Sequence, residues 1–143
     1  MIAVDTNILV YAHRRDTPDW HEPAKVCLEQ LASGRAPWGL PWSVAHEFIA
    51  VVTRLRHSPA TLAEAVGFID KLVGSDSCVA LAEPHGYLPV FDELASAGRV
   101  TGLLVFDARI AATCLAHGVS ELWTADHDFG RFPSLRTRNP LVG

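Results

Sequence analysis

The chain has 143 residues, 49% hydrophobic and 20% charged, the balance of a compact domain that builds its own core without staples. Twelve basic and sixteen acidic residues leave a formal net charge of -4, so no global attraction draws the protein to nucleic acid. A polyanionic ligand would have to be held by a local basic patch or by bridging cations.

No apolar run approaches the roughly 20 residues of a membrane span, and no basic segment followed by a cleavable apolar stretch opens the sequence. Neither export nor anchoring is expected. Cys27, Cys78 and Cys114 are odd in number, lack CxxC spacing and sit in apolar patterns, which points to a reducing cytoplasm.

Ile2 to Val4 reads as a short buried strand and Asn7 to His13 as a short helix. Ala24 to Ala32 is a second helix, with Pro23 near its first turn and Gly34 just past its end. Ala36 to Leu40 reads as a strand, after which Ser43 is placed to cap a helix carrying Val44, Phe48, Val51, Val52 and Leu55 on one face. The next helix has two competing starts, Ser58-Pro59 and the capping box from Thr61 to Glu64, and closes at Gly74. Cys78 to Ala82 is strand-like; Tyr87 to Ala97 and Leu104 to Ala116 are helical, ended by Gly98 and Gly118. Glu121 to Thr124 is a further strand, and Leu135 to Thr137 a last edge strand. This alternation predicts an α/β fold, a mostly parallel central sheet with helices on both faces. No repeat or linker-like tract marks a boundary, so one domain over residues 1–143 is expected.

In open parallel sheets ligands bind beyond the carboxyl ends of the strands. Asp5 follows the first strand directly, and Asp126 stands in the same relation to the strand ending at Thr124. Helices that follow parallel strands begin at that edge too, which brings Glu47 and Asp107 to the same rim. Carboxylates a few Å apart repel one another unless something positive sits between them. An all-oxygen donor set suits Mg²⁺, or Mn²⁺, rather than zinc. The chemistry such a site supports is metal-assisted attack of water on a phosphodiester, with no nucleophilic side chain.

The same residues also have plainer roles. Asp5-Thr6-Asn7 caps a helix, Glu47 is a solvated helical residue, Asp107 partners a helix dipole, and Asp126-His127-Asp128 forms a turn.

As an ordered set, Asp5-Thr6-Asn7, Glu47 in PWSVAHEF, Asp107 opening DARIAATCLAHGV, and ELWTADHDFGRF resemble the PIN-domain ribonucleases, specifically the VapC toxins of VapBC toxin-antitoxin pairs. The resemblance implies a Mg²⁺-dependent endoribonuclease, a homodimer, and inhibition by a cognate VapB-like antitoxin. It maps Asp5, Glu47, Asp107 and Asp126 onto the acidic quartet, with Asp128 an additional metal-binding acid. Asn7 and Thr124 fall on the polar supports, with Thr6 beside them. Thr124, Asp126 and Asp128 have period-two spacing, which places them on one face if the strand continues. Arg109 departs from the aliphatic residue frequent two positions after the third acid.

Other features carry less. His46-Glu47 begins no HExxH, and no second histidine offers a zinc spacing. His127, between two candidate ligands, is a candidate phosphate contact. The four tryptophans are assigned to packing rather than to base stacking. From Phe129 to Gly143 the chain holds Arg131, Arg136 and Arg138 and no acid, which makes this tail either an RNA-backbone patch or a charge-protected edge strand. Two other classes stay open: a non-catalytic acidic pocket for a basic peptide, and a metal-dependent phosphotransferase. Receiver-type and dehalogenase-type phosphotransfer fit poorly, because the only lysines are Lys25 and Lys71 and the first strand ends in DTN rather than DxD.

Overall fold

The computed structural model describes residues 1–143. Five strands, β1 (Ile2–Val4), β2 (Trp38–Pro41), β3 (Cys78–Leu81), β4 (Glu121–Trp123) and β5 (Thr137–Arg138), form one sheet in the order β3-β2-β1-β4-β5, and every pairing is parallel. The connections carry α1 (Thr6–His13), α2 (Pro18–Ser33), α3 (Trp42–Thr53), α4 (Leu62–Val73), α5 (Tyr87–Ala97) and α6 (Leu104–Ala116). From β1 the chain builds outward through β2 to β3, then returns to the other side of β1 with β4 and β5. The strand order therefore reverses between β1 and β4, and in such sheets the crevice at the reversal is where ligands bind.

The three inner strands β2, β1 and β4 are largely buried on both sides, as a covered parallel sheet requires, while the edge strands β3 and β5 keep exposed residues. Ala3, Val4, Trp38, Leu40 and Leu122 have no exposed surface and belong to one cluster of 31 buried apolar residues. Gly39 has a packing reason: a Cβ there would lie 2.7 Å from Leu81 Cδ1 on the neighbouring strand.

Several boundaries differ from the sequence expectation. α2 begins at Pro18, six residues before Ala24, because Pro18 takes the first helical position, where its missing N–H costs nothing, while Pro23 is carried inside the helix. β2 passes into α3 with no loop: Pro41 occupies the capping position with extended backbone, and Ser43 lies in the first turn as a partly buried residue whose Oγ has no partner. Thr61 caps α4 through Oγ1, which accepts from the Glu64 N–H at 3.1 Å, so the second of the two competing starts is the one used. The last strand lies two residues later than Leu135, whose side chain is buried in the preceding turn.

Candidate active site

Asp5 is the first residue off β1 and the N-cap of α1. Its backbone N–H donates to the Trp123 carbonyl at 2.9 Å, extending the β1–β4 ladder one step and holding Asp5 against the chain that leaves β4. Its carboxylate is 4% exposed and accepts three hydrogen bonds. Oδ1 takes the Thr6 N–H at 2.7 Å; Oδ2 takes the Thr124 hydroxyl at 2.7 Å and the Asn7 amide at 3.0 Å. Thr124 Oγ1 in turn accepts from Asn7 Nδ2 at 3.2 Å and from the Asp126 N–H at 3.0 Å, and Asn7 Oδ1 accepts from the Ala125 N–H at 3.0 Å. Two polar side chains thus lock the β1 and β4 ends together.

After Trp123 the strand does not continue. The chain turns into a short 3-10 segment, His127–Arg131, capped by Asp126, whose Oδ1 accepts from the Asp128 N–H at 2.8 Å. The turn, not strand periodicity, brings Asp126 and Asp128 to one place. There they meet Asp107 from the first turn of α6, with one carboxylate oxygen of each lying within 4.8 Å of the others. Glu47 lies on the second turn of α3, exposed, near enough to act electrostatically on both Asp5 and Asp107. The plainer capping roles of Asp5 and Asp126 are real, and they coexist with the convergence.

Charge is concentrated and uncompensated. Burial raises Asp5 from 3.8 to about 7 against the pull of the Thr124 and Thr6 hydrogen bonds, with Glu47 and Asp107 adding to the rise. Asp107 is raised to about 6, first by burial, then by Asp126, Glu47 and Asp128. The ion pairs of the protein lie elsewhere, at Arg14–Asp16, His21–Glu22, Lys25–Glu29, Arg109–Glu83 and Arg136–Glu121. None reaches these five acids. A hard divalent cation fits this donor set: several oxygens, no sulfur, no competing protein cation, and negative charge that burial makes expensive to leave bare.

The three tail arginines do not share one set of contacts. Arg136 pairs with Glu121 at 3.1 Å, the Arg138 guanidinium stands 6.0 Å from the Trp123 ring centroid, and Arg131 donates to the Gly98 carbonyl at 3.4 Å. β5 is an exposed edge strand of two residues. Arg109, where the sequence departs from the family pattern, pairs with Glu83 in the loop after β3 and leaves the acids untouched. His127 is exposed beside Asp126. Trp38 and Trp123 are buried, as packing predicts, whereas Trp20 and Trp42 are 38% and 37% exposed. Sequence reasoning missed the Ala125 N–H as a partner of Asn7, a backbone group with no side-chain signature. It also took Ser43 for a cap, although its spacing of four from Glu47 places both on one face of α3.

An all-parallel sheet with an acidic pocket at its switch point defines a class, and comparison with known proteins gives that class a name. The chain belongs to the PIN domain family, whose profile matches residues 2–135. Among its relatives, Ribonuclease VapC43 of Mycobacterium tuberculosis is 38% identical over 145 aligned residues, covering 100% of this chain and 97% of that protein. Ribonuclease VapC48 of the same organism is 32% identical, covering 97% of each. Among solved structures, VapBC2 from Rickettsia felis bound to a promoter DNA fragment superposes with a TM-score of 0.70 at 20% identity, covering 96% of this chain and 98% of that one. The sarcin-ricin loop cleaving toxin VapC20 of Mycobacterium tuberculosis gives 0.66 at 18% identity, covering 91% and 93%.

Proposed function

We propose that this protein is a metal-dependent endoribonuclease, the toxin of a type II toxin-antitoxin pair, acting as a single PIN nuclease domain. The observation that carries the reading is the meeting of Asp107, Asp126 and Asp128 within 4.8 Å, beside a buried Asp5, with no protein cation to balance them. The full-length likeness to proteins named as ribonucleases supplies the substrate class. The test is incubation of the purified protein with RNA and Mg²⁺, with EDTA and Asp5→Asn controls. Cleavage that survives either control would reject the site.

In this reading Asp107, Asp126 and Asp128 hold Mg²⁺, or Mn²⁺, with Asp5 and Glu47 completing the acidic wall. When bound, the cation lowers the pKa of the attacking water and offsets charge on the scissile phosphate. The protein's own part is preorganisation. Thr6, Asn7 and Thr124 fix the Asp5 carboxylate by three donors, so its lone pairs are aimed before substrate arrives. Thr124 also orients Asp126 through its backbone N–H. Removing that hydroxyl at constant shape, in Thr124→Val, is expected to lower metal affinity or turnover by about 10- to 100-fold, the usual cost of losing a partner of a metal ligand. Calorimetric Mn²⁺ titration and initial rates check it.

Arg131, Arg136 and Arg138 are assigned to the RNA backbone. Their charge is the local answer to a chain of net charge -4. Reversing Arg136 and Arg138 to glutamate should reduce the salt slope of RNA binding by about 0.7 for each phosphate that the protein no longer neutralises. An unchanged slope would rule out the patch. The partner that silences the enzyme is a VapB-like antitoxin; one solved structure of this fold carries such a pair by its name, VapBC2. Leu88, Leu103 and Phe106, exposed at the starts of α5 and α6, are the apolar surface available to a homodimer. No helix is long and apolar enough to cross a membrane, and we place the protein in the cytoplasm.

A further inference from the structure

One residue away from the acidic cluster lies a cavity of about 150 Å³ lined by Tyr11, Trp20, Ala125, Asn139 and Leu141. Ala125 sits between Thr124 and Asp126, and its N–H donates to Asn7 Oδ1, so the cavity and the Asp5 network share a wall. Tyr11 stands four residues after Asn7, one turn along the same face of α1. The Thr124 N–H donates to the Arg138 carbonyl at 2.9 Å, which brings Asn139 to the same end of β4.

The contents of this wall suit one kind of ligand. Pockets for drug-sized molecules run from about 300 to 1,000 Å³, so the space here is that of a single planar ring system. Two aromatic side chains border it, Tyr11 and Trp20, with centroids 6.3 Å apart and planes at 43°, and Trp20 keeps 38% of its surface exposed. Asn139 Oδ1 is committed to the Leu141 N–H at 3.0 Å, which leaves its amide hydrogens free to donate. Exposed Arg138 adds a cation one residue away.

We propose that this cavity receives one nucleobase of the RNA, on a nucleotide flanking the scissile phosphate, stacked against Trp20 and hydrogen-bonded at its edge by Asn139. The proposal rests on the ribonuclease reading. Carboxylates and a cation select for phosphate but not for sequence, whereas a ring slot with one amide donor beside them discriminates among bases.

To test it, the preferred cut is mapped in total RNA by end sequencing. An oligonucleotide spanning that cut is then made with each flanking base removed in turn. For wild type, one abasic position is expected to lower kcat/KM by about 10- to 100-fold, the scale of one aromatic stack. Trp20→Ala should lose a similar factor on the intact oligonucleotide and lose nothing further at that position, while still responding at the others. Trp20→Phe should restore most of the rate. Asn139→Asp, which keeps the acceptor for Leu141 but removes the donor, should change which base is preferred there. Equal cleavage by Trp20→Ala and wild type would overturn the proposal and leave a side chain of a protein partner as the occupant. Losses that simply add at every position would overturn it as well. If wild type cut no RNA, the ribonuclease reading itself would fall, a result distinct from both.

Discussion

Asp107→Asn is expected to lower RNA cleavage by about 10²- to 10³-fold, the scale on which a single preorganised charge-stabilising group acts, and to raise the melting temperature of the metal-free protein. Both effects have one cause. Asp107 enters the pocket from α6, and burial together with Asp126, Glu47 and Asp128 pushes its carboxyl up to about 6. An amide of the same shape removes the repulsion, and with it one of the three negative charges gathered within 4.8 Å. Activity assays paired with thermal melts in EDTA check the two halves. A variant that is both inactive and less stable would mean Asp107 supports the fold rather than the chemistry.

The second large effect is on stability against pH. Asp5 ionises near the ordinary 3.8 when unfolded but near about 7 when folded, so the folded protein binds more protons across that window. Stability of the metal-free protein is therefore greatest below the unfolded value and declines as pH rises from about 4 to about 7. With about 1.36 kcal/mol for each unit, the three-unit displacement sets a decline on the order of 4 kcal/mol from this group. Asp107 contributes in the same direction up to about 6. Groups depressed by ion pairs, such as Glu83 beside Arg109, have the opposite sign, so the comparison with Asp5→Asn isolates the effect. Wild type should lose stability relative to Asp5→Asn over this range, and Mg²⁺ at about 100 times its Kd should recover more than half of the loss above pH 7, since a ligand bound only by the folded state then adds about 2.7 kcal/mol. Parallel melts of the two proteins, or insensitivity to Mg²⁺, would contradict the assignment of Asp5 to a cation site.

What was legible in the sequence followed from rules that operate at short range or by topology. The alternation of apolar periods gave the parallel sheet, and acids placed directly after strands gave the rim, because strand ends of a parallel sheet share an edge. α5 and α6 were readable to the residue, since glycines stop or follow them closely. The rest depended on geometry that periodicity does not encode. Two prolines five residues apart each suit a first turn, and the helix starts at the earlier one, Pro18, carrying Pro23 inside it. Pro41 ends a strand and starts a helix at once, which displaced Ser43 from its expected cap. Asp126 and Asp128 are gathered by a side-chain-to-backbone turn rather than by a pleat. The tail arginines were counted as a block, yet Glu121, Trp123 and the Gly98 carbonyl divide them among three partners.

On the proposed reading, a divalent cation is held where α6 meets the turn after β4. Crystals grown with Mn²⁺, measured for anomalous scattering, address it without reference to any substrate. The expected result is a peak ringed by carboxylate oxygens of Asp107, Asp126 and Asp128, absent in Asp107→Asn. Manganese bound elsewhere on the surface, with this cluster left bare at saturating concentration, would contradict it.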